Sequence, residues 1–112
     1  MKKILVLLII GLCFIVGCTK KEKTELEKII EKDNYIIVDV RTNSEYIESH
    51  IKKAINIPVD EIDNNIELDK SKTILVYCKS GVRSNRAYLI LKELGYDVLD
   101  LGAFDSIDLE KE

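Results

Sequence analysis

The chain has 112 residues, 46% hydrophobic and 33% charged, with one proline, a formal net charge of −3 and a pI near 5.3. That length supports one compact domain, and the acidic balance gives no basis for nucleic acid as a partner. With one histidine and no tryptophan, a metal site would need mostly carboxylates in a cluster that the sequence does not contain, so neither a metal nor an organic cofactor is expected.

Residues 1–17 read as an export signal. MKK is a short basic head, and ILVLLIIGLCFIVG is unbroken and apolar but shorter than the roughly 20 residues a spanning helix needs. The IVGC at 15–18 resembles the lipobox of bacterial lipoproteins, which implies a diacylglyceryl thioether on Cys18 as the first residue of the mature chain. An uncleaved anchor helix is the alternative; either way the protein is expected on a membrane, facing an extracytoplasmic space. Loss of the signal takes Lys2 and Lys3 with it and leaves 15 basic residues against 20 acidic ones. Any handling of anions must then be local. Cys13 also leaves and Cys18 is capped, so Cys78 is the single free thiol in an oxidising compartment.

The lipidated cysteine and a charged tether occupy 18–24, and the folded domain runs over 25–112. TELEKIIEKD sets Leu26, Ile29 and Ile30 at helical spacing, with Thr24 as the cap. YIIVDV is a short apolar, β-branched run of the kind buried on both faces of a parallel sheet. NSEYIESHI predicts a short helix capped by Asn43 or Ser44. AINI is a very short strand stopped by Pro58, VDEIDNNI a weak helical turn, and KTILVYC the strongest strand of the chain. From Val82 to Leu94, Ala87, Leu91 and Leu94 share one helical stripe, and Gly95 stops the helix. DVLDL is the last strand, with GAFDSIDLEKE expected as loop. Alternating strands and helices of this kind make an α/β fold, an open parallel sheet with helices on both faces.

CKSGVRS at 78–84 stands where a buried strand gives way to a helix, at the strand ends where open α/β sheets bind their ligands. A helix start offers free N–H groups and partial positive charge, and a tight loop aims its amides inward as an anion nest. Gly81 permits the curvature and Arg83 adds a cation. Each of these favours thiolate over thiol at Cys78.

Taken with DVR at 39–41, Glu45, HI at 50–51, AINIP at 54–58 and LGYDVLDLG at 94–102, this loop makes the chain from Glu25 to Ile107 resemble a single-domain rhodanese. The resemblance implies a mostly parallel five-stranded sheet. It also implies transfer of a sulfane sulfur from a small anionic donor such as thiosulfate to a thiol acceptor, through a persulfide on Cys78. Arg83 is then expected to stabilise the sulfur's negative charge and Lys79 to steer the donor. Ser80, Gly81, Val82 and Ser84 are expected to act through their backbone, with Asp39 and Arg41 as structural support. The matching histidine, His50, is expected to be structural, since a thiolate already formed needs no base. Phosphatases and arsenate reductases on this fold carry one more loop residue, and the shorter loop here suits a single added sulfur. The family usually has glycine where this chain has Ser49, Lys53 and Ala103, and Ile107 stands where an aromatic is usual, so the backbone and the pocket wall are expected to change there. Two rivals remain: a relay of persulfide or thiol for another exported protein, and a binding module that keeps the fold without turnover.

Overall fold

The computed structural model describes residues 23–112; the signal segment 1–17, Cys18 and the tether up to residue 22 lie outside them. Helix α1 (Glu25–Lys32) is capped as expected, the Thr24 hydroxyl accepting from the Glu27 amide at 3.2 Å, with Glu25 and Glu27 in the first turn, where the helix dipole favours anions. After β1 (Tyr35–Asp39), α2 (Asn43–Glu48) begins from Thr42, not from Asn43 or Ser44. Only Thr42 has a carboxylate three residues on, and Glu45 closes the reciprocal capping box with it. The two-residue β2 (Ile55–Asn56) runs into Pro58 and a single 3-10 turn at Val59–Glu61. Then follow β3 (Thr73–Cys78), α3 (Val82–Glu93), β4 (Asp97–Ala103) and a second 3-10 turn at Phe104–Ser106.

The strands lie in the order β2-β1-β3-β4 and every neighbouring pair is parallel. Among the described residues the sheet therefore has four strands, not the five that the family resemblance implied. The C-terminal residues are not free loop either. Lys111 bridges antiparallel to Ile51, and the His50 and Glu112 backbones exchange two hydrogen bonds of 2.8 Å each. Ile107 and Leu109 pack into the core beside that bridge.

Strand parity decides which way the thiol faces. Side chains alternate along β3, so Ile74, Val76 and Cys78 pack toward Ala87 and Leu91 of α3, while Leu75 and Tyr77 face α1 and Ile107. Between Val76 and Tyr77 the register against β4 slips by one residue, from Asp100 to Gly102. Such a bulge bends the strand locally, and it does so beside the loop that follows Cys78: a Cβ built on Gly81 would stand 3.8 Å from the Gly102 Cα.

Two of the glycine replacements can be judged directly. Ser49 is extended, with φ −168°, a conformation any residue adopts. Lys53 takes φ 74°, the left-handed conformation that glycine holds at no steric cost; the turn survives and the lysine carries the strain. Lys53→Gly is expected to stabilise the fold by about 1 kcal/mol; a chemical-denaturation midpoint that stays put or falls would show the turn to be relaxed.

Candidate active site

The chain must reverse between the end of β3 at Cys78 and the start of α3 at Val82, and Gly81 makes the reversal with φ 98°. That turn folds the loop's amides back onto the sulfur. Cys78 Sγ accepts from the amides of Gly81 at 3.0 Å and Ser84 at 3.3 Å, with the Ser84 hydroxyl oxygen 3.5 Å away. The Ser80 amide bears on it as well. Burial pushes the thiol's pKa up, but the Ser84 hydroxyl and the Ser84, Gly81 and Ser80 amides pull harder, and the pKa is held below the ordinary thiol value. The Ser84 hydroxyl also lies 3.2 Å from the Gly81 carbonyl. It donates there while the sulfur is protonated and can turn its proton to the sulfur once that is ionised.

Cys78 is fully buried, yet its sulfur faces polar loop groups as well as core. Of the other loop residues, Ser84 is buried against the sulfur, while Lys79, Ser80 and Val82 are exposed, Val82 to 75%. Val82 is therefore an apolar side chain displayed beside the loop, and it makes none of the hydrogen bonds found on the sulfur.

The principal partner of Arg83 is Glu45. The guanidinium grips that carboxylate bidentately at 2.7 and 3.1 Å, and this hydrogen bond holds the Glu45 carboxyl down at about 2. Arg83 is thus largely neutralised, and its positive charge reaches Cys78 only at longer range. Sulfur stabilisation falls chiefly to the amides and to Ser84. Glu45 was not singled out for this role from the sequence; the TNSE spacing of the capping box at 42–45 was the available signal.

Asp39 and Arg41 are joined in a buried ion pair. Asp39 accepts from the Arg41 side chain at 2.7 to 3.0 Å, from the Arg41 amide at 2.9 Å and from the Tyr77 hydroxyl at 2.8 Å. Tyr77 in turn accepts from the Ile51 amide at 3.0 Å, and burial raises its pKa further above the usual phenol value. Arg41 donates to the Ser49 carbonyl and lies 4.4 Å from the centroid of Phe104, which stacks on Tyr77. Phe104 supplies an aromatic wall to the cleft, and Ile107, at the position where the family usually has an aromatic, is buried instead. His50 is held by its neighbours: its ring stacks on Tyr46 at 3.9 Å, and Nδ1 is 2.8 Å from the Tyr46 carbonyl.

Beside the loop opens a cleft of about 200 Å³, lined by Arg41, Glu45 and Phe104 and rimmed by the exposed Glu48, Lys79 and Asp105. It stops short of Cys78 itself. Among the described residues none of the three rim charges has an ion-pair partner.

This arrangement has relatives. A family model described as a rhodanese-like domain matches residues 22–106. The chain is 38% identical over 78 residues to the thiosulfate sulfurtransferase PspE of Escherichia coli (strain K12), covering 66% of this chain and 75% of that protein. It is 33% identical over 79 residues to the thiosulfate sulfurtransferase GlpE of Coxiella burnetii, covering 68% and 74%. A solved structure described as a rhodanese with anions from E. coli superposes with a TM-score of 0.64 at 35% identity, over 70% of this chain and 96% of that one.

Proposed function

The chain belongs to the rhodanese-like domain family, and on that premise we propose that it is a sulfurtransferase working through a persulfide on Cys78. The Cys78 thiolate attacks the outer sulfur of a donor such as thiosulfate; a new S–S bond forms, the donor's S–S bond breaks, and sulfite departs with the electron pair. An acceptor thiolate then attacks the terminal sulfur of the persulfide, taking it away and returning the Cys78 thiolate. Charge is conserved in both halves and no outside oxidant is needed.

The observation that carries this reading is the pair of amides donating to Cys78 Sγ within 3.3 Å, with the Ser84 hydroxyl oxygen 3.5 Å away and able to turn its proton to the ionised sulfur. Such donors are set to hold a thiolate at neutral pH and, with slight displacement, the negative sulfur of the persulfide. The full burial of Cys78 favours a second reading, a binding module that keeps the loop without turnover, because a donor reaches the sulfur only if the loop moves.

The basic head and apolar run of residues 1–17 and the lipobox-like IVGC at 15–18 support a further part of the proposal, that the enzyme acts outside the cytoplasm, held to a bacterial membrane by lipid on Cys18. A relay role toward another exported protein fits the same location.

Loading separates the readings. Incubation of the full-length protein in detergent with thiosulfate, followed by intact-mass measurement, is expected to show one added sulfur on the Cys78 peptide, with sulfite released in equal amount. A protein that gains no sulfur and releases no sulfite from either thiosulfate or a low-molecular-weight persulfide is a binding module.

A further inference from the structure

The loop around the sulfur is tied to the rest of the protein by one side chain. Among the described residues, the Ser84 hydroxyl turns inward to Cys78 and the Gly81 carbonyl, and Arg83 alone of residues 79–84 reaches another element, α2, with a side-chain hydrogen bond. The far end of that tie is fixed before Arg83 arrives. Glu45 Oε1 also accepts from the Thr42 amide at 3.2 Å and the Thr42 hydroxyl at 3.0 Å, so the carboxylate is set into the cap of α2. The two partners are 33% and 27% exposed, and water screens the pair only in part.

This clasp puts a positive charge on the loop and withholds it. Arg83 stands in the first turn of α3 between Gly81 and Ser84, whose amides donate to Cys78 Sγ. Its charge still bears on the sulfur, but its hydrogen bonds go to Glu45. A planar guanidinium fork that fits a carboxylate also fits the oxygens of a sulfur oxyanion. Because Glu45 is fixed in its cap, exchanging one acceptor for the other is a movement of Arg83 and of the loop that it ties. Cys78 is fully buried, so the loop has to move before the sulfur can attack a donor.

Resting on the sulfurtransferase reading above, we propose that Glu45 is a positioning residue that sets the donor preference by competing with the donor for Arg83. At rest the carboxylate holds the guanidinium. A donor bearing an oxyanion, such as thiosulfate, draws the guanidinium off Glu45 as it binds, and the displaced carboxylate stays in the cap of α2. Part of the donor's binding energy is thus used to break the clasp. Glu45 therefore weakens the binding of an oxyanionic donor, and an uncharged reagent gains nothing from Arg83 in either state.

E45Q isolates that competition, because glutamine at the third helical position still closes a capping box with Thr42 and carries no charge to hold Arg83. Two reagents report on Cys78 in the full-length protein: thiosulfate, followed as added sulfur by intact mass, and the uncharged alkylating agent iodoacetamide. In E45Q the thiosulfate concentration for half-maximal loading rate is expected to fall about tenfold, while the alkylation rate at neutral pH changes by less than about threefold. The acidic limb of the alkylation profile should move to lower pH, since a released cation favours the thiolate. In an R83Q background the same change at Glu45 should alter thiosulfate loading by about twofold or less, because no guanidinium is left to release. Equal acceleration of both reagents overturns the proposal, as Glu45 then only holds the loop shut. An equal gain with and without Arg83 also overturns it, as Glu45 then acts by direct repulsion. Normal loading with an unmoved half-maximal concentration overturns this proposal and leaves the sulfurtransferase reading standing. A native protein that is alkylated at Cys78 but loads from neither thiosulfate nor a low-molecular-weight persulfide overturns both.

Discussion

Cys78→Ser is expected to abolish sulfur transfer, lowering thiosulfate-dependent turnover by ~10³-fold or more, with no added sulfur on the protein. The serine hydroxyl fits the same cradle. Gly81 and Ser84 would donate to its oxygen as they do to sulfur, so the fold and the loop remain. What disappears is the nucleophile: an alcohol stays protonated at neutral pH and forms no persulfide. The pH dependence of loading in the unmodified protein carries the complementary information. Because the Cys78 pKa is held below the ordinary thiol value by the Ser84 and loop hydrogen bonds, the thiolate fraction is high above that lowered pKa and declines as pH falls through it. The acidic limb of the loading profile should therefore lie below the range of a free thiol. A limb at the ordinary thiol position, or a serine variant that turns over at the native rate, would mean that the cradle does not activate this sulfur.

Asp39→Ala is expected to cost about 3–5 kcal/mol of folding stability, a large share of the ~5–15 kcal/mol of a typical domain. The carboxylate is fully buried and takes hydrogen bonds from Arg41 and from Tyr77. Its removal strands a guanidinium that is only 5% exposed and leaves the Tyr77 hydroxyl without its acceptor. Residual bonding of Arg41 to the Ser49 carbonyl and its stacking on Phe104 offset part of the loss. Asp39→Asn keeps an acceptor but no charge, and should fall between the alanine variant and the native protein. Denaturant midpoints for the three proteins measure this directly; an alanine variant within about 1 kcal/mol of native would show the cluster to be marginal, as exposed ion pairs generally are.

Asp39 and Cys78 stand on adjacent strands, on opposite faces of one sheet. Tyr77 points into the Asp39–Arg41 cluster and Cys78, the next residue, points to the side of α3. The cluster thereby fixes the last turn of β3 from behind, and the loop grips the sulfur from in front. Arg41 links the two, since the same guanidinium that Asp39 holds also lines the cleft beside the loop.

The identity of the strands was legible in YIIVDV and KTILVYC because continuous β-branched runs leave a chain few other ways to bury them. The nest around Cys78 was legible too. A cysteine at a strand end, a glycine three residues on and a helix start are local features, and local backbone geometry follows from them. The cap of α2 was also written locally, in Thr42 and Glu45, although the neighbouring Asn43 and Ser44 are equally good cap residues by type. By contrast, the partner of Arg83 stands 38 residues away in the chain, and nothing in the loop's own sequence says that its charge is spent there. Phe104 came to line the cleft with Glu48, Lys79 and Asp105 only because packing brings segments distant in the chain to one rim. Short-range sterics and periodicity determine elements and loop shape; which charges cancel and which remain free depends on contacts between segments far apart in the chain, and those exist only once the sheet has formed.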